Sequence, residues 1–374
     1  MHILKRVLVG ISASLLASIL LTFGFFWSLH QVIGTPGPVK TVLRQSGLYE
    51  SGVGAALDQA QKDQKNDTNE NKDNIPVNQP QVRTIIEQAF PPSFLQTQIE
   101  QVIDHTYAWL NGKDAQLAFS IDFTSAKAQL ASGMGSYAEQ RLNTLPVCTA
   151  VDTSLPANDI DPFTAACRPA GFDVHAASTK VQDNIQNGDF LKDTKIDANS
   201  LKNDQGKSLN DQLKAVPHAY QRAIMAMYTA GVLALGLAAV VIFLSVERRT
   251  GIRRVAIIAI STGAISTLLA WLGSWGVHRA AIEFTKTQSA AQPLQQKVIR
   301  AVELLTSDLR AWWMGYGILL LVLGIAALVS LHFLKPNAAE QAEVLARAPE
   351  PVKTEGSKKP ARKGIKPNLP ELKD

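Results

Sequence analysis

Residues 223–246 read AIMAMYTAGVLALGLAAVVIFLSV, 24 positions without an Asp, Glu, Lys or Arg. A helix rises about 1.5 Å per residue and a bilayer's hydrocarbon core is about 30 Å thick, so roughly 20 apolar residues span it. Three further runs have the same character: Val7–Leu29, Val255–Val277 and Ala311–Leu334. None carries an acidic or basic residue, apart from His332 at the end of the last. The expected architecture is a mostly α integral membrane protein with four transmembrane helices. A large polar domain, mainly helical with minor β, lies between the first two.

Charge assigns the sides. Residues 30–222 hold 17 Lys+Arg and 22 Asp+Glu, a net of −5. Lys5 and Arg6 precede the first run, and Arg248, Arg249, Arg253 and Arg254 join the second to the third. A basic tail, Lys335–Asp374, follows the fourth. Lys and Arg concentrate in short cytoplasmic flanks. Both termini and the arginine loop are therefore expected in the cytoplasm, with 34–222 and the loop 278–310 facing outward across the cell membrane. The basic balance is a topology signal, and no nucleic-acid partner is expected from it. The first run is too long for a secretory leader and has no small-x-small site after it, so it is expected as an uncleaved anchor.

Cys148 and Cys167 are the only cysteines, and both fall in the outward domain. A pair confined to the oxidising side predicts a disulfide, worth roughly 3 kcal/mol for a loop of this size. Two thiols without neighbouring histidines cannot complete a metal shell.

The parts follow from local pattern. Residues 1–33 are the N-terminus and first span, and Thr35-Pro36-Gly37-Pro38 ends that helix. Residues 40–61 read as one helix, and the Asn/Lys/Asp-rich 61–80 as a disordered linker. Val82, Ile85, Ile86 and Ala89 share a helical face; a second helix follows from Ser93, a natural N-cap, to Asn111-Gly112. Leu117–Phe123 alternates as a strand, and Thr124–Thr144 is a helix weakened by Gly133 and Gly135. A Pro- and Asp-rich loop follows. Ser178–Asn187 reads as a short helix and Thr194–Ala198 as a strand. Helix resumes near Ser208, with Pro217 as a kink. Within the bundle region 223–334, the segment 278–310 reads as a helical hairpin turning at Pro293. Residues 335–374 read as a disordered basic tail.

The spans also carry small residues four apart, Gly10, Ser14, Ser18 and Thr22 in the first, Ala226, Ala230, Ala234 and Ala238 in the second and Ala259, Gly263 and Thr267 in the third, while Gly317, Gly324 and Ala327 share a face of the fourth. Such ladders let helix backbones approach in lipid. They are expected to pack the bundle, with a second copy of the chain as the alternative partner. Trp271, Trp275, Trp312 and Trp313 sit where interfacial anchors belong.

A search for chemistry finds little. Intramembrane acids and bases mark transport sites, and the span interiors have none. Ser125-Ala126-Lys127 has the spacing of some hydrolases but starts a helix, where Thr124 and Ser125 serve as caps. Asp104-His105 with Glu100 one turn back suggests a carboxylate–imidazole pair, with no second metal ligand beside it. No P-loop, GxSxG or dinucleotide motif occurs. Neither cofactor nor small-molecule site is expected.

The segments Pro92-Ser93-Phe94-Leu95, Tyr107-Ala108-Trp109-Leu110-Asn111-Gly112, Ile121-Asp122-Phe123, Leu145-Pro146-Val147-Cys148 and Cys167-Arg168-Pro169 resemble a group of bacterial membrane proteins of undefined activity. That resemblance spans about residues 80–170 and implies a two-cysteine extracytoplasmic domain. In topology alone the plan is similar to permease-like subunits of the FtsX/MacB type. The expected function is non-enzymatic: a multi-pass protein presenting an interaction domain to a protein partner in the cell envelope or on its surface. An ATPase-coupled permease subunit is the alternative, and an envelope hydrolase the third reading.

Overall fold

The computed structural model describes residues 2–66, 75–148, 160–188, 191–245, 248–287 and 292–333. It divides into a compact unit, Met1–Leu328, and a second, Val329–Asp374. The predicted tail 335–374 lies outside the described residues, as do positions 67–74 of the predicted linker.

The chain is mostly helical. Helix α1 (His2–Ile33) is followed by α2 (Pro36–Ser46), α3 (Leu48–Asn66), α4 (Pro80–Ala89) and α5 (Pro92–Leu110). Strand β1 (Ser120–Asp122), α6 (Thr124–Thr144), α7 (Val174–Asn187), β2 (Lys195–Asp197) and α8 (Leu209–Leu213) complete the inter-span domain. Then come α9 (Val216–Leu244), α10 (Arg248–Thr287) and α11 (Gln292–Phe333). Helices α1, α9, α10 and α11 contain the four segments long and apolar enough to cross a membrane. Side chains such as Val232, Leu235 and Phe243 stay highly exposed. An apolar surface of that extent belongs in lipid, which makes this a multi-pass membrane protein.

Glycine sets the closest crossings in the bundle. A Cβ on Gly263 would come within 2.5 Å of the Gly317 carbonyl oxygen, and one on Gly324 within 2.8 Å of the Ala256 carbonyl oxygen. Gly24 lies directly under the Tyr316 ring, whose hydroxyl donates to the Leu20 carbonyl at 2.9 Å. Aromatic rings fill the domain-side half: Phe23 meets Trp27 and Tyr316, Phe25 meets Trp313, and Trp27 meets Tyr228. Ala234 is buried, and Ala230 and Ala238 half-buried, while Ala226 is exposed. Gly10, Ser14 and Ser18 face outward, with nothing near the Gly10 α-carbon. The small-residue face of α1 thus lies open, and Leu16, Gly24 and Ser28 make its buried contacts instead.

The domain has two cores. Leu57, Val77, Val82, Ile86, Leu130, Met134 and Ile185 join α3, α4, α6 and α7 in the larger one. Trp109, Leu117, Phe119 and Ala198 form the smaller at the end of α5. Full burial of a Leu or Met contributes about 1.5–3 kcal/mol, so Leu130 and Met134, both at 0 % exposure, anchor the larger core. Gly133 and Gly135 serve packing: Ile85 occupies the space over one, and the Ser178 carbonyl and Gln182 approach the other.

Several boundaries differ from expectation. The helix read over 40–61 is two, because Gly47 takes φ +74° and its N–H closes on the Arg44 carbonyl. The stretch 61–80 is ordered at both ends: α3 runs to Asn66, and Val77 is buried in the larger core. Pro91, not Ser93, is the N-cap of α5. The strand shortens to Ser120–Asp122, antiparallel to β2 with Ile121 opposite Ile196; Leu117 and Phe119 go to the core beside it. Pro217 begins α9 rather than kinking it, and Pro293 lies in the first turn of α11, positions where proline's missing N–H costs nothing. Helices α10 and α11, at 40 and 42 residues, are about 60 Å long, roughly twice the hydrocarbon thickness.

Candidate functional site

The domain meets the bundle at a junction of three helices. The last carbonyls of a helix have no partner within it. At the end of α1 the Tyr107 hydroxyl, from α5, donates to the Ile33 carbonyl, and the Tyr220 hydroxyl, from α9, donates to the Gly34 carbonyl at 2.9 Å. Gln221 Nε2 donates to the Leu110 carbonyl at 3.3 Å and lies against Gly112, whose φ of +73° ends α5. Burial raises the Tyr107 phenol pKa, which keeps it a donor.

Above the junction, two ion pairs tie α2 to α5. Lys40 Nζ is 2.5 Å from Asp104, and the Arg44 guanidinium grips both oxygens of Glu100, Nε at 2.6 Å. The hydrogen bond from Arg44 holds the Glu100 carboxyl below its usual range. Fork-on-fork pairing of this kind fixes geometry as well as charge. Lys297, on α11, approaches Gly47, where a Cβ would lie 2.9 Å from Nζ. An ammonium at that place complements the negative end of α2.

Beyond the ion pairs, an apolar cleft of about 440 Å³ opens between α3 and α5. Gly52, Val53, Ala56 and Leu57 form one wall; Ile86, Phe90, Leu95, Phe123 and Leu191 form the rest. Small residues one turn apart, Gly52 and Ala56, create the opening. Phe94 backs it, with ring centroids 6.1 Å from Phe90 and 5.9 Å from Phe123. Leu191 adopts φ +47°, a region that favours glycine, and its carbonyl accepts from Lys127 Nζ at 3.1 Å. Lys127 is 3 % exposed, so a buried side-chain donor braces that wall residue from behind. The volume falls in the range of ligand pockets.

The predicted site residues are placed as follows. Cys148 and Cys167 form a disulfide, with Cα atoms 5.0 Å apart. It fastens the end of α6 to a loop in which Phe163 stacks on Tyr137 and Gln79 Nε2 donates to the Phe163 carbonyl at 3.0 Å. Arg248, Arg253 and Arg254 are exposed and Arg249 half-buried on the first two turns of α10. Lys5 and Arg6 lie on α1, with side chains outside the description.

The Glu100–Asp104–His105 grouping separates: both carboxylates pair with α2, and His105 Nδ1 is 3.9 Å from Asp114. Ser125 is exposed while Lys127 turns inward to Leu191, so the two share no hydrogen bond. Neither Thr124 nor Ser125 caps α6; Phe123 is its N-cap, and Asp122 Oδ1 accepts from the Thr124 N–H at 2.9 Å. The cleft was invisible in the sequence, because its walls come from residues up to 139 positions apart; Gly52 beside Ala56 on an otherwise ordinary helix was the one local signal.

The chain matches no protein family, no curated protein and no solved structure.

Proposed function

We propose that this is a cell-membrane protein that holds a disulfide-stapled helical domain on the extracytoplasmic face, where it engages a protein component of the envelope or surface. The observation that carries the reading is the Cys148–Cys167 bond in the domain joining two spans, since such bonds persist in oxidising compartments. The arginines at the start of α10 support the same orientation, with both termini and that loop cytoplasmic. The fastening of α5 to α1 and α9 supports a presenting role, because a domain locked to its anchor offers a fixed surface.

Orientation and role are tested in intact cells. Asn71→Cys introduces a free thiol, the native pair being bridged. A membrane-impermeant maleimide is expected to label it, and a thiol at Asn71 shielded until the cells are lysed would reverse the topology. Crosslinking followed by purification of the full chain is expected to recover one envelope protein in stoichiometric yield. Recovery of none removes the presenting role.

The lengths of α10 and α11 favour a second reading, a permease-like subunit transmitting an ATPase's work. About half of each helix exceeds the bilayer, and Lys297 on that portion of α11 lies against Gly47 of the domain. Co-purification with an ATPase would select this reading over the first, and its absence would remove it.

A further inference from the structure

From the cleft between α3 and α5 an inclined ridge of apolar residues runs down α5 toward the end of α1. Leu95, Ile99, Ile103 and Tyr107 stand four residues apart on α5, and so form a single row along the helix. Leu95 lines the cleft. Ile99 is 37 % exposed, and Ile103 and Tyr107 are half-buried. Tyr107 closes the row at the end of α1, where it bonds the Ile33 carbonyl and where Ile33 is itself exposed. Twelve residues of helix separate Leu95 from Tyr107, about 18 Å. The cleft thus lies within a lipid chain's reach of the end of α1, with one ridge of apolar side chains between them.

We infer that the cleft takes one hydrocarbon chain of a membrane lipid, drawn from the adjoining leaflet along the Leu95–Tyr107 row. The lining carries no charged side chain, which suits an alkyl chain and rejects its headgroup. The headgroup stays at the polar edge of the ridge, where Glu100 and Asp104 are already neutralised by Arg44 and Lys40. The opening exists because Gly52 and Ala56 stand where larger residues would complete the wall. A Cβ on Gly52 would meet only Leu95 Cδ1, at 3.4 Å. The cleft can therefore be filled without moving backbone. This inference is independent of which side of the membrane the domain occupies and of any protein partner.

The test uses the full chain in nanodiscs of phosphatidylcholine and phosphatidylglycerol, with a trace of phosphatidylcholine bearing a diazirine near one chain end. After photolysis, mass spectrometry is expected to find adducts on residues 52–57 and 90–95 in addition to the spans. Gly52→Leu with Ala56→Leu is expected to abolish the adducts in the domain and leave those in the spans. Ile99→Asp, at a position 37 % exposed, is expected to remove the same adducts by interrupting the ridge. Label confined to the spans of the unaltered chain would overturn the inference. So would domain adducts that survive both variants, because they would arise from random collision.

Discussion

Tyr49 buries its ring at 3 % exposure, and its hydroxyl finds no hydrogen-bond partner. Burial, with Glu100 nearby, pushes the phenol up to about 12. The folded value stands above that of the unfolded chain, about 10. Stability from this group is therefore complete below pH 10 and is lost as pH rises toward 12. The full loss is on the order of 2 kcal/mol. Tyr49→Phe should be neutral or mildly stabilising at pH 7, since it removes an unsatisfied hydroxyl. It should also flatten the fall in Tm between pH 10 and 12; an identical alkaline limb in both proteins would refute the assignment. At the other end of the scale, lowering the pH protonates Glu100 and releases Arg44, so Glu100→Gln should blunt the acid limb. Cys148→Ser should cost about 2–4 kcal/mol, read as a lower urea midpoint for the domain. Residues whose partners are local, or unique in the chain, could be read directly: two cysteines can only pair with each other. Glu100 and Asp104 could not. Their partners lie on α2, more than 50 positions earlier, and proximity to His105 in sequence pointed the wrong way.

Helices α10 and α11 meet backbone to backbone because Gly263 and Gly317 lack side chains, whereas the equally regular Gly10–Ser14–Ser18 face of α1 is exposed. Spacing alone identifies a face able to pack; the partner decides whether it does. Gly317→Ile should separate α10 from α11 and lower Tm by several degrees, since overpacking costs about 1–3 kcal/mol. Gly10→Ile should leave Tm unchanged. A change in subunit stoichiometry with Gly10→Ile, measured by native mass spectrometry, would mean that the open face is covered by a second copy. The elements themselves were legible wherever period and punctuation agreed: α4, α6 and the four spans match their apolar pattern closely. The helix read over 40–61 failed because Gly47 looks like any tolerated helical glycine. What breaks the helix is its left-handed φ, closed locally by the Arg44 carbonyl and faced by Lys297 from 250 residues away. Likewise Val77 stands alone inside a polar stretch, where one apolar residue makes no pattern, yet the larger core needs it.

At the scale of the molecule, α5 is the piece that makes domain and bundle one unit. Its first turns line the cleft, its middle carries the ion pairs to α2, and its last turn is bonded to α1 and α9. Hydropathy separates such a chain cleanly into membrane and non-membrane parts, because every residue of a span votes the same way. The joint between those parts includes the side chains of Tyr107, Tyr220 and Gln221, whose bonds to carbonyls far along the chain no pattern in the sequence marks. Removing both hydroxyls, Tyr107→Phe with Tyr220→Phe, leaves ring packing intact and the α1 carbonyls unsatisfied. Each hydrogen bond is worth about 1 kcal/mol, or roughly fivefold in an opening equilibrium. Backbone amides of Gly34, Thr35 and Gly37 and of residues 108–113 should then exchange faster with solvent deuterium in nanodiscs, while those of α6 in the larger core keep their protection. Uniform acceleration across the domain would mean that the tyrosines stabilise its fold and not its seat. Unchanged exchange at both segments would mean that the ion pairs between α2 and α5 suffice to hold it, and Lys40→Met with Arg44→Met in the same background would then release it.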